Sequence, residues 1–433
     1  MIQHSLRVLA AVIVPPHLSV SGGARAAERL SAALSAHCTI DVASMLGGDG
    51  AGSGAGRLEV RTWLPGPVPW HRIPKRYRTP FYRSDIAEHV AGGRYDLVHI
   101  HNPMPALEMA RVAAACRRVG TPYVVSTHGF NEVANGRDIY GFGWMQRQAW
   151  RLLVEVPVRR VVRHAAAMCV LSPADTSIVR AMGFQGEPFV VCNGVDTPPP
   201  ADAQADSAAL ARLGIGLERE PGTPSFFFLG NHTPNKGLPV LLDAALRLEQ
   251  PFLLVVGGEP RDGIDYAAAA RACRPGQRIV VTGRLSDAAV HALFRRCDAF
   301  VFPTLADTFP LAVLEAMAHG MPVVASRVGG IVHQIDSDTG VLVPPGDAGA
   351  LAQAIRRLAS DPCRMAAMGR AARERAAAAF SWHHAAEQAM AAYRFAVNRH
   401  APGHDRARSR IAHEVDPRMS AFDFDTIPPA ARD

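Results

Sequence analysis

Val301–Gly330 reads VFPTLADTFPLAVLEAMAHGMPVVASRVGG, and its punctuation decides the fold class. Val301 and Phe302 close an apolar run that suits a buried strand, and Pro303 stops it. Asp307 and Thr308 are helix-capping residue types, and Pro310 fits a first turn, where no N–H is needed. The spacing predicts a helix over Leu311–His319, ended by Gly320 with Pro322 just beyond. Such a helix start presents free N–H groups and a partial positive charge, which suits a phosphate. Asp307 and Glu315 stand eight positions apart, two helical turns. Acids so spaced can bind hydroxyls at two points of one ligand; they can equally be a cap and a solvated helix residue.

The same strand, loop and helix rhythm recurs on both sides. Leu6–Val14 reads as a buried parallel strand, followed by the Ser21–Gly22–Gly23 turn and a helix. Tyr95–His101 and Tyr123–His128 are short apolar strands flanking a helix at Pro105–Arg118. A basic helix is expected over Gln146–Arg163, and a strand at Ala166–Leu171. After Pro198–Pro200 the rhythm restarts with strands at Phe226–Leu229, Phe252–Val256, Ile279–Thr282 and Ala299–Phe302, and helices at Leu238–Leu248 and Asp287–Arg296. Alternation of this kind predicts an α/β architecture, two doubly wound parallel-sheet domains. A chain of 433 residues exceeds one ordinary core. The expected division is 1–198, a linker 199–222, a second domain 223–381, a closing helix 382–397 and a disordered tail 398–433.

Composition narrows the classes. A hydrophobic content of 48% describes a globular chain. No apolar run approaches the ~18 residues of a membrane span. Val8–Val14 is stopped by Pro15–Pro16 without a signal-peptide cleavage pattern, so a cytoplasmic protein is expected. Seven cysteines without C-x-x-C argue against disulfides and zinc. The net charge of +7 invites anionic partners, but no nucleic-acid motif accompanies it.

Several residues are candidates for chemistry. Gly22 and Gly23 let backbone approach a phosphate. His101 and His128 end parallel strands, where ligands collect in open α/β sheets. The loop Gly230–Gly237 carries Asn231 and Lys236 before a helix start but lacks the glycine and hydroxyl pattern of a nucleotide P-loop. Between Glu59 and Asp85 there is no acid, and Trp70, Arg72, Arg76 and Arg78 interleave aromatic with basic groups, which suits a membrane headgroup or an anionic acceptor. Asp336-Ser337-Asp338 and Asp423-Phe424-Asp425 match D-x-D formally, in a turn and in the tail, and are discounted as metal sites.

Together these stretches resemble family four of the retaining glycosyltransferases, which have the GT-B architecture. The most specific part is Asp307–Glu315 with the EAMAHGMPVVA run, similar to the family's E-x7-E signature; DLVHIH, STHG, LSPAD, NGVD at Asn193–Asp196, Lys236–Gly237 and TGRLSD support it. The resemblance implies a UDP- or GDP-sugar donor, a glycan or lipid-linked acceptor in bacterial surface polysaccharide synthesis, no metal cofactor, and peripheral contact with the inner membrane face. It implies that Glu315 binds the ribose and that backbone at Arg284 and Leu285 meets the base. Lys236, Asn231, the Gly22–Gly23 turn and backbone along Phe309, Pro310, Leu311 and Ala312 would hold the diphosphate. Asp307 and His128 would meet the transferred sugar, with His101, Arg72 and Arg76 on the acceptor side.

Three departures stand out. Asn231 replaces the family's usual arginine, Asp307 its usual glutamate, and Val332–His333 a usual Pro-Glu. A sugar-nucleotide 2-epimerase of the same fold, or a non-catalytic partner in glycan assembly, are the competing expectations.

Overall fold

The computed structural model describes residues 5–18, 22–46, 55–139, 141–216, 222–260 and 263–400. The glycine-rich stretch 47–54 and the tail from 401 onward, including Asp423 and Asp425, lie outside the described residues.

The first sheet collects β1 (Arg7–Val12), β2 (Thr39–Ser44), β3 (Gly56–Leu58), β6 (Leu97–His101), β7 (Tyr123–Ser126), β8 (Ala167–Val170) and β9 (Phe189–Val190). A small antiparallel ribbon, β4 (Thr62–Trp63) with β5 (Arg83–Ser84), lies outside it. The seven strands run in the order β3-β2-β1-β6-β7-β8-β9, all parallel. The second sheet holds β10 (Ser225–Leu229), β11 (Phe252–Gly257), β12 (Gln277–Gly283), β13 (Ala299–Phe302), β14 (Val323–Ser326) and β15 (Gly340–Val343). Its order is β12-β11-β10-β13-β14-β15, again all parallel. Both orders reverse direction beside the first strand of their sheet, and the crevice outside the carboxyl ends there is where such sheets bind ligands.

Burial on both faces explains the near-continuous apolar strands: Val8–Val12, Phe226–Phe228 and Phe300–Phe302 are 2% exposed or less. One core fills the second sheet; the first sheet has a core on each face. The closing helix, Trp382–His400, buries Ala385, Ala389, Met390, Tyr393 and Ala396 against the helix Gly22–Leu34 and strands β6 to β9. In the two sheets Thr39–Ser44, Gly56–Leu58, Val323–Ser326 and Gly340–Val343 had no counterpart in the sequence reading, nor had the ribbon of β4 and β5. The basic helix expected over Gln146–Arg163 is divided into Trp144–Trp150, a π-helical turn at Arg151–Glu155 and Val156–His164.

Candidate functional site

The helix of the Val301–Gly330 stretch runs Leu311–Ala318, starting at the residue the sequence indicated. Pro310 occupies the cap position in extended backbone and no side chain caps the helix. Asp307 and Thr308 are therefore not its caps: Pro310, with its fixed φ, stands directly before the first helical residue. His319 closes the helix and Gly320 turns left-handed at φ +75°. The first-turn N–H groups at Leu311 and Ala312 have no acceptor within the helix, as its geometry requires.

Asp307 is committed elsewhere. One carboxylate oxygen is ion-paired with Lys236 Nζ, and the other accepts the Thr308 N–H at 3.1 Å. Both partners are mostly buried, with side chains 19% and 15% exposed. The sequence reading gave Lys236 to the diphosphate and Asp307 to the sugar; the structure joins them. The loop carrying Lys236 is fixed by Asn235, whose amide donates to the Ala306 carbonyl at 3.1 Å and whose carbonyl accepts from Thr304 Oγ1 at 2.8 Å. Gly237, at φ +68°, presses against the Pro303 carbonyl where any side chain would overlap it.

Glu315 faces the first sheet. Its Oε1 lies 3.2 Å from Arg25 Nη1 on the helix Gly22–Leu34. Burial raises the Glu315 carboxyl above its ordinary value, opposed by the Arg25 charge. A small cavity here is lined by Arg25, Arg29, Asp196, Leu311, Glu315 and Trp382. Gly22 and Gly23 form the first turn of that helix rather than a turn ahead of it. Gly23 is required by contact: a Cβ there would overlap Asn102 Oδ1 and stand 3.2 Å from His128 Cβ.

His128 is 5% exposed at the end of β7, and burial pulls it down to about 4, so it is a neutral imidazole near neutral pH. His101 is fully buried, tilted against His99 at 3.8 Å between ring centroids and against His128 at 6.1 Å, and neither of its ring nitrogens has a partner. His101 is thus packed among the rings of His99 and His128 at the end of β6. His99 itself bonds Tyr393 Oη at 2.7 Å and Ser126 Oγ at 2.8 Å, tying the closing helix to the ends of β6 and β7.

Asn231 is exposed, as is Arg327. His232 is 1% exposed and bonded to Tyr266 Oη at 2.6 Å, so it does not replace the missing arginine at the loop surface. Arg284 is exposed beside Glu259 at 3.4 Å, while Leu285 leans on Gly257 at the end of β11. Phe309 is buried edge-on against Phe380. Arg72 is exposed, and the Arg76 side chain lies outside the described residues. Asp336 pairs with Arg375 at 2.9 Å and caps its own turn.

Sequence reasoning matched NGVD as a motif but assigned it no work. In the structure Asn193 Nδ2 donates to the Phe309 carbonyl at 2.9 Å, Gly194 sits where a side chain would overlap Trp382, Val195 N–H donates to Phe380 at 2.7 Å, and Asp196 lies 3.3 Å from Arg29. Asn193 thus ties the end of the first sheet to the approach of the helix Leu311–Ala318, while Gly194 and Val195 meet the start of the closing helix. Asp175, from LSPAD, was missed in the same way: it accepts from Thr127 Oγ1 at 3.1 Å and from Leu171 N–H at 3.2 Å, fixing the residue before His128. Burial lifts Asp175 to about 6.

Comparison with known proteins agrees with this geometry. Residues 21–194 match the family model for the glycosyl transferase 4-like domain, and residues 223–361 that for glycosyl transferases group 1. A D-inositol 3-phosphate glycosyltransferase of Streptomyces avermitilis is 34% identical over 323 residues, 71% of this chain and 67% of the relative. A 2-deoxystreptamine glucosyltransferase of Streptomyces kanamyceticus is 29% identical over 306 residues, 69% of this chain and 77% of the relative. Among solved structures, a sucrose-phosphate synthase from Thermosynechococcus elongatus superimposes with a TM-score of 0.67 at 22% identity, covering 90% of this chain and 98% of that one. HepE of Anabaena, solved with UDP-glucose, gives 0.65 at 17% identity, covering 89% and 98%. Two matched domains in the right order, relatives at this identity and the two facing parallel sheets make the chain a member of the group 1 glycosyl transferases of family four, with the GT-B fold.

Proposed function

We propose that the protein transfers a hexose, with retention of anomeric configuration and without a metal, from a UDP- or GDP-sugar to a hydroxyl of a glycan or lipid-linked acceptor in bacterial surface polysaccharide synthesis. The observation that carries this reading is the Lys236–Asp307 pair just ahead of the open helix start at Leu311, with Glu315 one turn into that helix. A nucleoside diphosphate leaving group develops negative charge, and stabilising it is the main catalytic need. Lys236 and the helix-start N–H groups supply that stabilisation in this reading. Arg25 holds one Glu315 oxygen, and the other, Oε2, accepts from the ribose.

Asp307 is a poor nucleophile because its charge is already spent on Lys236. That favours attack on the same face as the departing phosphate, whose oxygen takes the acceptor hydroxyl's proton. His128, neutral, then hydrogen-bonds a sugar hydroxyl without adding charge. The relatives' names give small acceptors, 2-deoxystreptamine and D-inositol 3-phosphate, and an accessible hydroxyl is the chemistry these share with a glycan or lipid-linked acceptor.

The test is release of nucleoside diphosphate by purified protein supplied with donors and acceptors, in chelator, with the product anomer read by NMR. The reading predicts acceptor-dependent release that Glu315→Ala abolishes. Full turnover in that variant overturns the site; donor binding with neither transfer nor hydrolysis supports the non-catalytic alternative, and epimerised donor without transfer supports the epimerase.

A further inference from the structure

Trp144–His164 carries a surface that the transfer reaction does not use. Trp144 and Met145 are each 75% exposed, Leu152 66% and Val156 49%, the four largest exposures recorded for large apolar side chains. Every residue from Gly143 to Ala149 is exposed, so the helix Trp144–Trp150 has no buried residue. That helix runs on through the π-helical turn Arg151–Glu155 into Val156–His164, and half-buried Trp150 anchors it by donating Nε1 to the Val133 carbonyl at 3.3 Å. The side chains of Trp144 and Met145 meet solvent.

Its charge is one-sided. Arg147, Arg151, Arg159 and Arg160 are exposed along the same segment. The single acid between Gly141 and His164 is Glu155, and Arg137 is paired with it. An apolar stripe with tryptophan at its front, flanked by arginines and free of unpaired acid, matches an interface between acyl chains and anionic headgroups. A second copy of the chain fits less well, since a two-fold contact would set one cationic face against another.

In the segment first expected to touch a membrane, Trp70–Arg83, Trp70 and Arg78 make contacts within the segment and its approach. Trp70 Nε1 donates to the Pro65 carbonyl at 3.0 Å, its ring stands 5.3 Å from Phe81, and Arg78 donates to the carbonyls of Ile73 and His71.

We propose that Trp144–Arg160 is a docking surface for an anionic lipid bilayer, with Trp144, Met145, Leu152 and Val156 entering the headgroup boundary and Arg147, Arg151, Arg159 and Arg160 meeting lipid phosphates. The chain leaves His128 through the helix Phe130–Ile139 and then enters this surface, so docking brings the His128 side of the molecule to the membrane. The proposal stands on the surface and not on the identity of donor or acceptor.

The test is co-sedimentation of the full chain with vesicles of phosphatidylcholine alone or mixed with phosphatidylglycerol, with light scattering on the free protein. Binding is expected to the anionic vesicles and to weaken with salt. Arg147→Ser with Arg151→Ser should lower partitioning about thirtyfold, from about fivefold for each arginine near the surface. Trp144→Ser with Met145→Ser should also release the protein, with an unchanged melting temperature showing that the fold is intact. Absence of wild-type binding, or equal binding by both variants, overturns the proposal. So does a concentration-dependent dimer that Trp144→Ser with Met145→Ser abolishes in a protein that never binds vesicles.

Discussion

Replacing Lys236 by Met removes the cation and keeps most of the side chain's bulk over Phe302, whose ring lies 5.3 Å from the ammonium. Two effects follow. A charge-assisted bond to the leaving diphosphate is lost, a cost of about 1.5–3 kcal/mol, or about ten- to 150-fold in kcat/KM. The Asp307 carboxylate is also unmasked, with only the Thr308 N–H left to hold it. A bare carboxylate roughly 6 Å from a phosphate oxygen, at an effective dielectric near 20, adds about 3 kcal/mol of repulsion as an upper bound. Lys236→Met should therefore lose more than one hydrogen bond is worth. Adding Asp307→Asn removes the repulsive part, so the double variant should recover about tenfold over Lys236→Met. The assay is steady-state release of nucleoside diphosphate, with donor affinity by calorimetry. A Lys236→Met enzyme within about twofold of wild type, or a double variant no faster than the single, would refute the shared-site argument.

Other outcomes follow from the same geometry. Asn231→Arg places a second cation at the loop surface beside Lys236 and should raise kcat/KM about tenfold, through one added charge-assisted bond; unchanged rates would mean that the diphosphate does not pass Asn231. His128 is held at about 4 in the fold against 6.5 when exposed, so between those values the unfolded chain binds a proton that the native one does not. Stability is then full above 6.5 and falls as pH drops towards 4; His99, lowered to about 3, has the same sign. Asp175, raised from 3.8 to about 6, has the opposite sign and offsets part of the loss. His128→Gln should lose less melting temperature than wild type on acidification, and an equal loss would show that His128 is solvated. Gly237→Ala adds a Cβ against the Pro303 carbonyl at a left-handed φ and should destabilise by about 1–3 kcal/mol, seen in urea unfolding; a neutral effect would mean that the Lys236 loop is not pinned there.

The fold was legible where physics writes locally. The strands at Ala299–Phe302 and Phe226–Leu229 are apolar runs bounded by proline and glycine, and the helix Asp287–Arg296 follows a serine that does cap it, by accepting from Ala289 N–H at 3.3 Å. Strand Thr39–Ser44 was not legible because Asp41 interrupts its pattern; that carboxylate pays its way by accepting from Tyr95 Oη at 3.0 Å and Arg7 at 3.3 Å. The four-residue strand Gly340–Val343 is too short to show a period. In the site, motifs placed Lys236, Asp307, Glu315 and His128, but not their partners. Lys236 and Asp307 are 71 residues apart, and Arg25 reaches Glu315 only because Gly23 brings its helix against Asn102 and His128. Pairings of that range are set by tertiary packing, and no local signal carries them. His101 shows the converse: strand-end position was visible, while the neighbouring rings that bury it were not.

The most direct test of the account is a crystal structure of the chain with a bound nucleoside diphosphate. The account predicts ribose hydroxyls about 2.7–3.0 Å from the Glu315 carboxylate and phosphate oxygens beside Lys236 and the N–H groups of Leu311 and Ala312. A nucleotide seated away from this helix, or Glu315 left with Arg25 as its single partner while the ribose binds elsewhere, would contradict it.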